Sequence, residues 1–493
     1  MTESKTYGRV YTPHYLVNLI LDQTRYNTSY NVIGKHIIDN SCGDGAFLAE
    51  IVKRYCELFN GTTEELRQHL HTYIHGIEID HIERDKCVEN LNKVASQYGA
   101  TNIVWDILCA DTLTVSKYNS QMDYVVGNPP YVRVHNLESS YDSVKAYQFA
   151  NGGMTDLYLV FFEIGFNMLK PDGQLCYITP SSWLNSVAAD NLRRYIVKNR
   201  NLVSLTDLAH FQAFDKITTY TIISHFKKSQ NSNTFDYYTY DSKNNKCDFI
   251  ERLALQDVYI NSCFYLGSKE GLAMLYQIKN TKCAKYISAK NGFATLADSV
   301  FIGSDIPESP ITIRVIKGST GKWYNCIFPY DNKGKALPEE RIFENEDIKS
   351  RLCAHKEQLL KGRTEFDGWY LYGRTQALAD VYRSKLSVNS LVKTKESLKM
   401  VELTSGEGIY SGLYIIANFD IPLLDIKEII ASDEFIEYVK LLKKYKSGGY
   451  YTFNTKDLEQ FVNYKLAHKE TTYKYVIKPT ISRQGPDLFQ GVY

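Results

Sequence analysis

The segment Asp123–His135 constrains the fold more than any other part of the 493-residue chain. Tyr124–Val126 is an apolar run typical of a short buried strand, and it leads directly into Gly-Asn-Pro-Pro-Tyr. Two consecutive prolines restrict the backbone, so this strand is predicted to end in a rigid turn. Open α/β sheets bind ligands at the carboxyl ends of their strands. We therefore expect a site where Asn128 Oδ1 and the Pro129 carbonyl accept hydrogen bonds from a planar amino group and Tyr131 offers a stacking face.

A glycine turn follows the first predicted strand. His36–Asp39 is apolar and ends in an acid, the next turn contains Ser41, Gly43 and Gly45, and a helical pattern covers Ala46–Leu58. Strand, glycine turn and helix form the first unit of a nucleotide-type fold. The turn lacks the third glycine of a dinucleotide fingerprint. An acid at the strand end opposes a pyrophosphate but favours an ammonium group, such as the one on the methionine moiety of S-adenosylmethionine.

Two further predicted strands lead to acids. Tyr73–Glu78 ends in a carboxylate that can accept both hydroxyl groups of a ribose, and Ile79 follows where it could lie against an adenine face. Asn102–Trp105 leads to Asp111, which could accept a hydrogen bond from an adenine amino group. Each acid alone could equally be a helix N-cap or a solvated loop residue. Three of them before the Asn128 turn favour one cofactor site.

The rest of the first half alternates strands and helices. The complete pattern has seven strands, which predicts a doubly wound α/β sheet. Residues 132–154 lack periodicity and are expected to form a mobile loop over the site. Residues 227–265 are polar and are expected to be a linker region, and shorter, less regular elements follow. We therefore predict a catalytic domain over 1–265 and a mixed α+β domain over 266–493. The other predicted elements are helices at 15–21, 81–98, 156–169 and 181–198, a helix stop at 170–173, and strands at 175–179, 202–208 and 220–226.

The charge is divided unevenly along the chain. Residues 1–225 hold 19 Lys and Arg against 24 Asp and Glu, and the remainder holds 38 against 32, so the two parts carry −5 and +6. A basic second half fits a polyanion-binding domain. Lys440–Tyr451 mixes cations, glycines and aromatic residues that could contact phosphates, although a solvated basic surface is equally compatible.

Ten cysteines are scattered without a Cys-x-x-Cys pair, which favours reduced thiols and a cytoplasmic location. The longest apolar runs fall short of the ~20 residues of a membrane helix, and a polar N-terminus gives no sign of a signal peptide. Four histidines between 69 and 81 straddle a predicted loop and strand, so we predict no metal site.

In its motifs and their order the chain resembles the N6-adenine DNA methyltransferases of the gamma order, of the Taq type. The segments that carry the resemblance are Tyr11–Pro13 for the N-terminal cofactor motif, Asp39–Phe47 for the glycine motif, Gly76–Asp80 for the ribose motif, Ala110-Asp111 for the adenine motif, Gly127–Tyr131 for the catalytic turn, and Asp156–Phe161 with Lys170–Gly173 for the segment after it.

The resemblance implies a Rossmann-like methyltransferase fold, S-adenosylmethionine as cofactor, double-stranded DNA as partner, and a C-terminal target-recognition domain. It adds Thr12 and Phe161 to the cofactor site, with Phe161 facing Ile79 across the cofactor's adenine. Phe214 falls where the family places an aromatic ring against a flipped-out base, and Phe211 remains the alternative. Together with Asn128, Pro129 and Tyr131, Phe214 completes the implied catalytic set.

The family also implies a prokaryotic protein near the nucleoid and a separately encoded restriction endonuclease as partner, because the cofactor motif begins too near Met1 for a preceding nuclease. Four other functions stay open: a protein-glutamine methyltransferase, an RNA methyltransferase, a non-catalytic DNA-binding subunit, and the modification subunit of a multisubunit complex. The DNA word is not readable from the sequence.

Overall fold

The computed structural model describes residues 11–27, 29–134, 144–150, 155–214, 219–361 and 368–468. The chain divides into two compact units, Met1–Tyr276 and Gln277–Tyr493. The division falls eleven residues beyond the boundary predicted at 265. Within the described residues, every helix is too short or too polar to cross a membrane.

The first unit is built on one large sheet, whose nine strands lie in the order β3-β2-β1-β4-β5-β7-β6-β8-β9. Strands β1 to β5 run parallel to one another, and β7 is antiparallel to both β5 and β6. The strands are β1 (Ile37–Asp39), β2 (Ile74–Glu78), β3 (Asp106–Cys109), β4 (Met122–Gly127), β5 (Leu169–Pro180), β6 (Leu202–Asp207), β7 (Thr221–Lys227), β8 (Thr234–Asp241) and β9 (Lys246–Ala254), with a small hairpin of β10 (Tyr259–Ile260) and β11 (Cys263–Phe264) beyond them.

The seven-strand prediction is wrong in its count. The first seven strands occupy one contiguous side of the sheet, but β8 and β9 extend it through the region expected to be a linker. Strand β8 is parallel to β6, and β9 forms an antiparallel pair with β8. The chain runs from β1 to β2 and β3 on one side and then returns to place β4 on the other side of β1. The carboxyl ends of β1 and β4 therefore mark the switch point where such sheets bind ligands.

Helices connect the strands and bury their apolar faces. One apolar cluster joins α1, α2 and α4 to β1, β2 and β4, and α5 is buried on all sides, with ten of its twelve residues inaccessible. The helices of this unit are α1 (His14–Gln23), α2 (Ala46–Leu58), α3 (Thr63–Tyr73), α4 (His81–Ser96), α5 (Leu157–Met168), α6 (Asp190–Asn199) and α7 (Leu255–Val258), and α8 (Lys269–Asn280) crosses the division.

Several predicted elements are displaced or were missed. The third strand was expected at Asn102–Trp105 but forms at Asp106–Cys109, and the expected helix 181–198 is two short 3-10 turns followed by α6. Helix α3 was missed, although the Thr62 and Glu65 capping box announces it. The helix predicted at 156–169 does end before the expected stop at 170–173, at Met168, and β5 begins directly at Leu169. The predicted loop 132–154 lies partly outside the described residues, as does the middle of 211–219.

The second unit contains three small sheets, in the orders β12-β20-β16-β18, β13-β15-β14-β19 and β17-β22-β21. Helix α15 covers the edge strand β12, where Asn463 and Glu459 accept hydrogen bonds from the backbone N–H groups of Ile287 and Ala289. The strands are β12 (Ile287–Asn291), β13 (Ile302–Gly303), β14 (Thr312–Lys317), β15 (Lys322–Ile327), β16 (Lys385–Val388), β17 (Leu391–Val392), β18 (Met400–Leu403), β19 (Glu407–Tyr410), β20 (Leu413–Ala417), β21 (Tyr445–Lys446) and β22 (Tyr450–Thr452). The helices are α9 (Asp298–Phe301), α10 (Glu339–Ile342), α11 (Glu346–Ala354), α12 (Lys356–Leu360), α13 (Leu423–Ile430), α14 (Asp433–Leu441) and α15 (Thr455–His468).

Candidate active site

The first predicted acid and the Asn-Pro-Pro-Tyr turn meet at the ends of two adjacent parallel strands. Asp39 is the last residue of β1 and pairs in register with Val126 of β4, so the turn begins beside it. Gly127 has φ +151°, and a Cβ at this position would lie 2.7 Å from Asp39 Oδ1. Only glycine lets the chain pass this close to the carboxylate. The sequence therefore fixes the acid and the turn against each other.

Hydrogen bonds join residues of three separate motifs around Asn128. Its Nδ2 donates to Thr12 Oγ1 at 3.1 Å, and Thr12 is only 8% exposed. Ser41 Oγ donates to the backbone carbonyl of Asn128 at 3.4 Å, and the backbone N–H of Ser41 donates to Asp39 Oδ1 at 3.0 Å. Because the amide nitrogen of Asn128 is turned towards Thr12, its Oδ1 lies on the opposite side of the amide. The N-terminal motif, the glycine turn and the catalytic turn form one connected group.

Asp39 is an unusually basic carboxylate. It is 2% exposed, and its burial raises its pKa to about 7, with the charges of Glu78 and Asp44 acting in the same direction. The hydrogen bond from Ser41 opposes this shift but does not cancel it. Near neutral pH the group therefore exchanges its proton readily, and a bound cation would favour the ionised form.

Glu78, at the end of β2, accepts hydrogen bonds from the two turns beside it. Its Oε2 accepts from the Gly43 N–H and its Oε1 accepts from the Asp80 N–H, each at 2.9 Å. A carboxylate has about four acceptor positions, so two remain for a pair of ligand hydroxyls. Ile79 follows Glu78 in the chain and is 50% exposed, so its apolar surface is accessible to a flat ligand.

The two glycines of the turn differ in what surrounds them. A Cβ on Gly43 would meet nothing within 4 Å, which leaves open space on the side where a ligand could approach. A Cβ on Gly45 would lie 2.6 Å from Cys87 Sγ, and Gly45 has φ +86°. The lack of a side chain at Gly45 is therefore required for α2 to sit against α4, and its role in cofactor binding stays a prediction.

Asp111 and Phe161 complete the predicted cofactor set. Asp111 caps the short turn Thr112–Thr114, where its Oδ1 accepts from the Leu113 N–H at 3.0 Å, so the N-cap alternative is realised in the structure. Phe161 is buried on α5. Sequence reasoning missed Asn40, whose carbonyl accepts from Thr112 Oγ1 at 2.7 Å and ties this turn to the end of β1. Its place between Asp39 and Ser41 was the available signal.

The aromatic residues near the turn distinguish the two candidate phenylalanines. Tyr131 and Phe214 lie with ring centroids 6.1 Å apart at 71°, whereas Phe211 packs against Tyr15 and Tyr240. Phe214 is thus the one in contact with the Asn-Pro-Pro-Tyr turn. The two rings meet edge to face, and the Tyr131 hydroxyl donates to the carbonyl of Ile178 at 3.2 Å. A base stacked between parallel rings needs about 7 Å between their planes, so one ring must move before a base can be held there.

Part of the chain is similar to known restriction-modification methylases. Residues 46–214 match the family described as Eco57I restriction-modification methylase, and this segment includes the Asn128 turn and Phe214. The chain is 30% identical over 235 residues to the Type II methyltransferase M.BstVI of Geobacillus stearothermophilus, covering 44% of this chain and 42% of that protein. It is 21% identical over 482 residues to the Type II restriction enzyme and methyltransferase RM.Eco57I of Escherichia coli, covering 75% of this chain and 47% of that protein.

Among solved structures, the Type IIL restriction-modification enzyme MmeI, determined in complex with DNA, shares the fold with a TM-score of 0.58 at 13% identity, over 90% of this chain and 64% of that one. The chain spans less than half the length of the two curated relatives named above. The matched family and the two curated relatives support a restriction-modification methylase, and the likeness to MmeI shows a shared fold.

Proposed function

We propose that this chain is an N6-adenine DNA methyltransferase of the gamma order, which transfers a methyl group from S-adenosylmethionine to an adenine in duplex DNA. The observation that carries the proposal is the connected group of Thr12, Asp39, Ser41 and Asn128 at the switch point of the sheet. It places an amide acceptor beside a buried acid that suits a cationic cofactor. The match of residues 46–214 to a restriction-modification methylase family supports the same function, with the chain as the modification half of such a system.

The residues at the strand ends fit S-adenosylmethionine. When bound, the cofactor supplies an electrophilic methyl group on its sulfonium. Asp39 would bind its ammonium group, and Glu78 would use its two remaining acceptor positions for the ribose hydroxyls. Asp111 would accept from the adenine amino group, and Ile79 and Phe161 would flank the adenine ring. Gly43 leaves the space through which the backbone meets the methionine moiety.

Asn128 and Pro129 act on the target nitrogen. The amino nitrogen of adenine is a poor nucleophile because its lone pair is delocalised into the ring. Two acceptors, Asn128 Oδ1 and the Pro129 carbonyl, would bind both N–H groups and favour a pyramidal nitrogen, whose lone pair is then directed at the methyl group. Direct transfer would leave a surplus proton on the nitrogen, which Asn128 Oδ1 or the Pro129 carbonyl would hold in its hydrogen bond until the proton passes to solvent. No covalent enzyme intermediate is required.

A base within a duplex cannot reach a site at the strand ends, so the target must be flipped out, at a cost of a few kcal/mol. Stacking on aromatic side chains contributes about 1–3 kcal/mol per base and offsets much of that cost. Tyr131 and Phe214 are the rings that would supply it, once one of them has moved out of their edge-to-face contact. Burial raises the pKa of Tyr131 well above its ordinary value, so its hydroxyl stays a neutral donor to β5.

The other functions considered from the sequence are less well supported. The matched family and the named curated relatives are restriction-modification proteins rather than RNA or protein-glutamine methyltransferases. The connected acids and amide argue against a DNA-binding subunit that has lost catalysis. A modification subunit would resemble the present site, and it would need a second chain for activity.

The decisive experiment is single-molecule sequencing of DNA from a methylation-deficient host that expresses the protein. We expect N6-methyladenine at one short word, and we expect Asn128→Ala to abolish the mark while S-adenosylmethionine binding is kept. Asn119→Ala, at an exposed position away from the strand ends, is the matched control and should leave the mark intact. Methylation that persists in Asn128→Ala would exclude the assigned role, and methyl transfer only to RNA or protein would exclude the DNA substrate.

A further inference from the structure

A polar basin lies on the surface of the second unit. Its volume is about 280 Å³, and it is lined by Lys290, Asn291, Gln376, Ala377, Tyr414 and Thr455. The lining comes from β12, the segment before the 3-10 turn Leu378–Tyr382, β20 and the start of α15. The lining residues thus carry two amides, a lysine and two hydroxyls, around a space large enough for the edge of a base pair. Amide and lysine side chains are the groups that read base edges by hydrogen bonding.

A buried carboxylate holds the floor of the basin in place. Asp380 Oδ2 accepts from Lys290 Nζ at 2.6 Å and from the Tyr414 hydroxyl at 2.8 Å. Burial alone would raise the pKa of Asp380, but the bonds from Lys290 and Tyr414 outweigh it, so the pKa is lowered and the group stays ionised. Lys290 is still 47% exposed, so its charge faces solvent while its position is fixed. The lining is therefore ordered before any ligand arrives, which lowers the entropic cost of binding.

One hydrogen bond to the backbone holds the side-chain amide of Gln376. Its Nε2 donates to the Gly292 carbonyl at 2.8 Å, and this bond uses one of its two N–H groups. The other N–H and Oε1 are the pair that binds adenine N7 and N6 together. Ala377, the next residue, has φ +66°, a left-handed conformation that costs a non-glycine residue about 1–2 kcal/mol. Strain of this kind is concentrated at binding sites, where the surrounding structure enforces it.

We infer that this basin is a base-reading site, in which Gln376 recognises the adenine edge of an A·T pair in the major groove and Asn291 and Lys290 contact the neighbouring pair. The inference rests on the proposed function, since it names the residues through which a DNA methyltransferase of this sequence would choose its word. Gln376 and Asn291 are exposed, and they need no rearrangement to meet a groove.

The test begins with the word found by sequencing, or by selection of bound duplexes from a random pool if no base is methylated, and uses short duplexes that carry it and each of its single-base variants. Methylation rates and equilibrium binding are measured on the full chain. Gln376→Ala should weaken the preference at one A·T position by about 10- to 100-fold and leave the other positions unchanged. Gln376→Glu should shift that position towards C·G, because a carboxylate accepts from cytosine N4 but cannot donate to adenine N7. Gln358→Ala, an exposed glutamine of the same unit, is the control.

Unchanged discrimination at every position in both Gln376 variants overturns the inference, as does an equal effect of Gln358→Ala. If a variant loses all methylation, the ratios of binding constants decide in the same way. A wild-type protein that binds one word without methylating it would contradict the proposed chemistry, and the binding constants of the Gln376 variants would still test the basin. A protein that distinguishes no word in either measurement would overturn both.

Discussion

Asp39 is the residue of the site whose raised pKa lies near neutral pH. Its pKa of about 7 arises from burial and from the charges of Glu78 and Asp44, and the ionised form is the one that can bind an ammonium group. We expect S-adenosylmethionine affinity to rise about tenfold between pH 6 and pH 8, because the ionised fraction rises by about that factor. Isothermal titration calorimetry across this range measures the effect. Asp39→Asn should bind weakly with a flat profile, and a flat profile in the wild type would contradict the assignment.

The raised pKa of Asp39 should make the free energy of unfolding fall with pH, whereas it makes cofactor affinity rise. Between about pH 4 and pH 7 the folded protein retains the Asp39 proton that the unfolded chain has lost, so stability falls as pH rises through this window and is constant above it. The linked free energy is at most about 4 kcal/mol. Asp39→Asn should remove this slope and raise the unfolding midpoint at pH 7.5, and scanning calorimetry of both proteins without cofactor checks it. A residue that destabilises the protein without its ligand is expected where function requires a buried charge.

Most of the site was predictable at the level of single residues, since acids and turns at the ends of parallel strands must converge. Asp39, Ser41 and Asn128 meet for this reason. The bond between Thr12 and Asn128 depends on how α1 packs, which no local pattern encodes. The packing of Gly45 against Cys87 was not predictable, because a glycine before a helix has the same appearance in the sequence whether it faces a ligand or a neighbouring side chain.

At the scale of elements, one buried lysine stabilises the segment 380–383, which follows the basin residues Gln376 and Ala377. Lys385, at the start of β16, donates to the carbonyls of Asp380, Val381 and Arg383, each at 2.9 Å, and burial lowers its pKa to about 8. Lys385→Met fills the same volume but leaves three acceptors without their donor. We expect a loss of roughly 2–4 kcal/mol in unfolding free energy, measured by urea denaturation. Lys399 has an exposed ammonium that donates to the carbonyl of Thr320. The control Lys399→Met should therefore change the free energy of unfolding by less than about 0.5 kcal/mol.

Elements were harder to predict where polar residues begin or fill a strand. Asn102–Trp105 has the β-branched composition of a strand, yet Val104 is 73% exposed and β3 starts at Asp106 instead. Asp106 can enter the sheet because His75 and Lys117 bond its carboxylate, at 2.7 Å each. Strands β8 and β9 were taken for a linker because the region is polar and rich in Asn, Ser and Tyr. Their alternating Tyr, Phe and Thr residues were the signal for an antiparallel pair.

At the scale of the whole molecule, the two units differ in charge as they are proposed to differ in role. Residues 1–276 hold 25 Lys and Arg against 30 Asp and Glu, and residues 277–493 hold 32 against 26, so their net charges are −5 and +6. An acidic unit suits a cofactor whose net charge is positive, and a basic unit suits DNA. The proposed division of labour therefore predicts different salt dependences for the two ligands.

We expect the DNA affinity of the full chain to fall at least about a hundredfold between 50 and 200 mM salt, as for proteins that neutralise several phosphates. S-adenosylmethionine affinity should change by less than about threefold, because its contacts are buried and screened little by ions. Fluorescence anisotropy with a labelled duplex and calorimetry with the cofactor give the two slopes. The separated units, checked for folding by circular dichroism, should divide the activities, with 277–493 binding DNA and 1–276 binding cofactor. If 1–276 alone binds the duplex with the full salt slope, the phosphate contacts belong to the catalytic unit, and the charge of the second unit serves another purpose.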